Sequence, residues 1–140
     1  MPLVALDAIP QVPLEFINDD HREEARLLNE LDEALAEHRA GRTGPETVVA
    51  CFEVLFEHTK AHFGREEEAM QRSGFPPYQV HKGEHERVLA EMAIEGQAFA
   101  QGQDVARLTR YVSDAVPAWF TTHILTMDLI TARFVQMRGG

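Results

Sequence analysis

The chain has 140 residues, with 13 lysines and arginines against 23 aspartates and glutamates, a formal charge of −10. That length suits one domain, and an acidic chain without a basic cluster argues against a nucleic-acid partner and against acidic substrates. The single cysteine, Cys51, excludes an internal disulfide; the opening residues lack the basic-then-apolar order of a secretion signal, and no apolar run approaches the roughly 20 residues of a membrane span. A soluble cytoplasmic protein without a membrane partner is expected.

Residues 1–16 hold Pro2, Pro10 and Pro13 among short apolar residues, which predicts an extended arm rather than a helix. A helical domain is expected over 17–138. In the first helix Ile17, His21, Glu24, Leu28, Leu31 and Leu35 recur alternately four and three apart, which makes one buried stripe. Asn18 or Asp19 is expected to cap it, and Gly41 with Gly44-Pro45 to close it and open the next. The second helix repeats the rhythm through Val48, Phe52, Leu55, Thr59, His62, Glu66 and Ala69 and stops at Gly74. The third runs through Tyr78, His81, His85, Val88, Met92, Glu95 and Phe99 to Gly102. The fourth, capped by Asp104, carries Val105, Leu108, Val112, Trp119, Thr126, Ile130 and Phe134 near one face, and Pro117 should kink it. Little β-type alternation occurs anywhere. The expected fold is all-α, an up-down-up-down antiparallel four-helix bundle with an extended N-terminal arm.

In such a bundle the start of helix 1, the end of helix 2, the start of helix 3 and the end of helix 4 share one end. His21, His62/Glu66, His81/His85 and His123/Asp128 fall in those four places. Residues four apart on a helix project the same way, so His62/Glu66 and His81/His85 are natural ligand pairs. His123 and Asp128 are five apart, roughly 140° around an ideal helix. That is too wide to bind one ion side by side, but it serves if His123 holds one ion and Asp128 bridges. Five histidines and two carboxylates exceed the four ligands of a tetrahedral zinc and would serve two six-coordinate ions with a position left open. Imidazole with carboxylate suits iron among redox metals, with zinc and manganese not excluded by ligand type.

The pattern His21, His62-x3-Glu66, His81-x3-His85, His123-x4-Asp128 resembles the hemerythrin family, bacteriohemerythrins in particular. His62-Phe63-x2-Glu66-Glu67-x2-Met70, Trp119-x3-His123-Ile124 and Asn29 eight residues after His21 support it, and the resemblance runs from about residue 17 to 135. It implies an oxo- or hydroxo-bridged pair of iron ions with Glu66 and Asp128 bridging and His21, His62, His81, His85 and His123 terminal. It also implies that O2, or another small diatomic ligand, binds at one open iron position beside Ala25, Trp119 and Ile124.

Three positions depart from the family. Glu24 and Ala25 stand where relatives usually carry Leu and an aromatic residue, and His58 where bacterial relatives often show Tyr. A buried carboxylate needs a partner, so Glu24 should reach solvent or an arginine, bind metal as an additional ligand, or hydrogen-bond in the pocket. His58 is expected either half-exposed or hydrogen-bonded behind a ligand. His38 should be solvated, and Glu23, Glu67, Glu68, Glu84 and Glu86 should form a charged outer face. No nucleophile set or phosphate loop competes, so reversible O2 binding for storage, delivery or sensing is expected, without turnover. The alternatives are a di-iron redox enzyme or iron-handling repair protein reacting with O2, peroxide or nitric oxide with Glu24 as a ligand, and simple metal buffering.

Overall fold

The computed structural model describes residues 2–139, among which there are helices and no strands. Helices α1 (Glu15–Arg39), α2 (Pro45–Ser73) and α3 (Tyr78–Gly102) are followed by a fourth rod over residues 105–137. The links between them are short, which makes neighbours antiparallel. Gly74 ends α2 in the left-handed conformation, with φ 71°, where a side chain would be strained. The expected four-helix bundle is the fold.

Away from the histidines the four rods meet in an apolar core. Leu28, Leu31 and Leu35 of α1 pack with Val48, Phe52 and Leu55 of α2, Val88, Met92 and Phe99 of α3, and Leu108 and Val112 of the fourth rod. Each fully buried leucine contributes roughly 1.5–3 kcal/mol. Gly96 is required here, because a Cβ at that position would lie 2.6 Å from the Phe52 ring.

The first helix begins at Glu15, two residues earlier than expected, and neither Asn18 nor Asp19 caps it: Leu14 takes the capping position without a side-chain bond. Asn18 is occupied elsewhere. Its amide accepts from the Val12 N–H at 2.9 Å and donates to the Val12 carbonyl at 2.8 Å. Asn29 grips Val4 in the same two-handed way, at 2.7 and 2.8 Å. These clamps lay the arm along the bundle, where Ile9, Val12 and Leu14 pack with Ile17, Phe120 and Ile124.

Asp104 caps the fourth rod as expected, accepting from the Arg107 N–H. The rod is not a simple kinked helix, however. It is π-helical over Tyr111–Ala115 and again over Ile124–Asp128, with α-helix between and after. Pro117 has no N–H to complete an α-turn, and the widened turn that ends at Val116 absorbs the break, the Val116 N–H bonding back to the Tyr111 carbonyl. The second widened turn shapes the site.

Candidate metal centre

Early α1 supplies His21, late α2 His62 and Glu66, early α3 His81 and His85, and the fourth rod His123 and Asp128. All seven are at most 4% exposed. The pair five apart meets because of the second π-turn: one extra residue is taken up in the wider turn, and His123 Nε2 lies 3.1 Å from Asp128 Oδ1. The expectation that this pair diverges by roughly 140° is thereby corrected.

The two carboxylates divide the histidines between them. Glu66 Oε2 is 2.8 Å from His62 Nε2 and 3.9 Å from His21 Nε2, while Asp128 Oδ2 is 2.8 Å from His21 Nε2. The other oxygens turn the opposite way. Glu66 Oε1 is 3.3 Å from His85 Nε2 and 3.7 Å from His81 Nε2, and Asp128 Oδ1 is 3.1 Å from both His81 and His123. Two ligand groups result, one of Glu66, Asp128 and three histidines, the other of Glu66, Asp128, His21 and His62, each with its atoms within 4.8 Å. The carboxylates belong to both.

Such a set fits cations better than it fits itself. Glu66 Oε1, His85 Nε2 and Asp128 Oδ1 are buried without a hydrogen-bond partner, and each such atom costs roughly 1–3 kcal/mol unless something answers it. The electrostatics agree. Burial and the Asp128 charge push the Glu66 pKa up, but His62 and His85 outweigh them and hold it at about 2. Burial likewise opposes ionisation of Asp128, yet the imidazoles of His123, His21 and His81 beside it keep it well below the usual carboxylate range. Burial lowers the pKa of His62, and Glu66 and Glu24 reverse this and raise it well above the ordinary value. Both shared carboxylates are therefore held ionised, the form in which a carboxylate can bind a cation.

Partners behind the ligands fix the rings, as metal-binding histidines require. Thr131 Oγ1 lies 2.8 Å from His81 Nδ1 and Glu67 Oε2 2.9 Å from His85 Nδ1. Phe63 stacks on His85 at 3.8 Å, and Trp119 stacks on His123 at 4.4 Å while donating to Glu84. Sequence reasoning missed Thr131 and misread Glu67 and Glu84, which are half-buried partners of the site and not parts of a solvated face. In Glu67 the signal was its place next to Glu66, one residue around the same helix. His38 is also corrected: it is half-buried, 3.0 Å from the Thr43 carbonyl and edge-on to Phe99.

Glu24 is buried, with its carboxylate on the outer side of His62. Oε2 accepts from Thr59 at 2.6 Å, and Oε1 lies 3.5 Å from His62 Nδ1, the nitrogen turned away from Glu66. His58 stands beside it. Trp119 joins Glu24, Thr59, Leu55 and Tyr111 around a cavity of about 70 Å³, large enough for a diatomic molecule. Ala25 and Ile124 do not line that cavity, being packed in the apolar cluster under the arm.

Comparison with known proteins gives a consistent result. The family model described as the Hemerythrin HHE cation binding domain matches residues 12–134. The chain is 33% identical over 91 residues to a bacteriohemerythrin of Ralstonia nicotianae, an overlap of 65% of each chain and so just under two thirds of that relative. It is 24% identical over 131 residues to a bacteriohemerythrin of Aquifex aeolicus, covering 94% of this chain and 96% of the other. A crystal structure of a hemerythrin point mutant superposes with a TM-score of 0.79, covering 96% of this chain and 98% of that one at 24% identity, a likeness of fold. Among the described residues, no helix is long and apolar enough to cross a membrane.

Proposed function

This chain belongs to the hemerythrin family, and from that premise we propose that it is a non-haem di-iron protein that binds O2 reversibly, for storage, delivery or sensing. The observation that carries the reading is the division of carboxylate oxygens: Glu66 and Asp128 each turn one oxygen towards the group of His81, His85 and His123 and the other towards the group of His21 and His62. His81, His85 and His123 would hold one iron and His21 and His62 the second, with both carboxylates shared. The two-histidine side is one ligand short, which leaves room for a small molecule. Two iron ions so held would supply the reversible binding of O2. With four positive charges from Fe(II) against two carboxylates, an oxo or hydroxo bridge lowers the charge that a buried site must carry.

The protein's own residues keep water and stray protons from the site. All seven candidate ligands are sealed from solvent, and Glu24, the additional ligand of the redox alternative, stands behind His62 on its Nδ1 side. The test is anaerobic reduction followed by air, watched by optical spectroscopy with iron analysis on the same sample. Two iron ions per chain and a spectral change that reverses when O2 is removed are expected. One iron per chain, or oxidation that does not reverse, would refute the reading.

A further inference from the structure

Outside the seven-residue set, one more group of metal-capable atoms is gathered: Glu24, His58 and His62 place ligand atoms within 4.8 Å of one another. Glu24 Oε1 lies 3.4 Å from His58 Nε2 and 3.5 Å from His62 Nδ1, and the Asp20 carbonyl oxygen lies 3.2 Å from His58 Nε2. Atoms bound about 2.0–2.2 Å from one ion lie about 3.0–3.5 Å apart. Thr59 holds the second oxygen of Glu24, so the first stays turned to the imidazoles. Arg65 takes both oxygens of the Asp20 carboxylate, at 2.6 and 2.8 Å, so the part of Asp20 that faces His58 is its backbone carbonyl, which also belongs to the helical ladder of α1.

His62 faces both groups. Its Nε2 points to Glu66 and its Nδ1 to Glu24. The inner set is closed to solvent, whereas the side chains of His58 and Glu24 are 14% and 11% exposed. A sealed centre needs a way in, and here a group of three metal-capable residues joins an inner histidine to side chains that reach the surface. The charge of −10 draws cations to it.

We infer that Glu24, His58 and the Asp20 carbonyl form an outer site for a divalent cation, through which iron reaches and leaves the centre by changing nitrogen on His62. The inference rests on the di-iron reading. On taking the ion His58 carries its proton on Nδ1, and His62 exchanges which nitrogen bears the proton as the ion moves inward.

A purely structural role for Glu24 and His58, bracing His62 by hydrogen bonds, predicts the opposite kinetics. Removing a brace loosens the iron and speeds its release, whereas removing a waystation slows release and uptake together. The experiment loads ferrous wild type, Glu24→Gln and His58→Phe anaerobically, measures iron per chain, then adds excess ferrous chelator and follows the coloured chelate. Release slowed about tenfold in both variants is expected, equivalent to about 1.4 kcal/mol on the barrier. Release at the wild-type rate or faster overturns the inference, whatever the occupancy, and His58→Phe decides alone if Glu24→Gln does not fold. A wild type holding fewer than two irons before chelator is added refutes the di-iron reading instead, so the two failures are separable.

Discussion

The two halves of the centre share Glu66 and Asp128 and differ in everything behind them. On one side His81, His85 and His123 are pinned by Thr131, Glu67 and two stacked rings. On the other, His62 is backed by Glu24, while the buried Nδ1 of His21 has no partner at all. One half has three histidines, each held from behind by a hydrogen bond or a stacked ring, and the other has two, of which one lacks such a partner. On the proposed reading, one helical frame would hold metal firmly and still leave it reactive: the first half would anchor, and the second would receive the small molecule.

The sharpest way to break this comparison is to remove one histidine from each half. His85→Ala should cost the pinned iron and much of the second, because its carboxylate bridges lose their anchor. His21→Ala should leave about one iron per chain. Metal bound only to the folded state stabilises it by about 4 kcal/mol at a thousand times Kd, so the His85 variant should show the larger fall in melting temperature. Equal iron contents in the two variants would remove the asymmetry.

A smaller effect comes from pH. In metal-free protein the depressed pKa of Glu66, about 2 against an ordinary 4.5, contributes stability that is present above pH 4.5 and is lost as pH falls towards 2. His62 acts with opposite sign: its raised pKa contributes stability that is full below 6.5 and is lost as pH rises through the raised value. Metal-free protein should therefore weaken in mild alkali. Loaded protein should not, because the ion replaces the His62 proton. Thermal melts of both forms from neutral to alkaline pH check this, and parallel curves would contradict it.

Smaller still should be Glu67→Gln, which keeps the shape behind His85 but loses the charge. A fall of about 10–100-fold in metal affinity is expected, with iron content at saturation unchanged. Competition with a chelator measures it, and an unchanged affinity would show that Glu67 is not a brace.

The bundle and the depth of the ligands were legible because both depend on spacing. Apolar residues at three and four mark a buried face in the first three helices, and His62/Glu66 and His81/His85 at four mark shared direction. Late in the fourth rod the expected face fails, Thr126 and Ile130 being exposed and Ile124, Thr131 and Val135 buried, because the widened turns rotate it. For His123 and Asp128 the depth was legible but the close approach was not, since their meeting depends on a π-turn that no local pattern announces. Glu67, Glu84 and Thr131 were not legible because a brace is defined by what lies opposite it in space. Glu67 and Glu84 differ from solvated glutamates only by their distances to His85 and Trp119. Asn18 misled for a related reason: its amide suited a helix cap, but the arm offered two backbone groups at Val12 and took both its donor and its acceptor. Glu24 was recognised as out of place from its position in the stripe, while the side of His62 it occupies needed coordinates.

On the proposed reading the two irons differ, and only the one held by His21 and His62 meets the small ligand. Mössbauer spectroscopy of protein loaded with iron-57 tests it directly, before and after azide is added to the oxidised form as a stand-in for O2. Two iron environments in equal amounts, of which azide changes mainly one, are predicted. A single environment, or equal changes in both, would contradict the account.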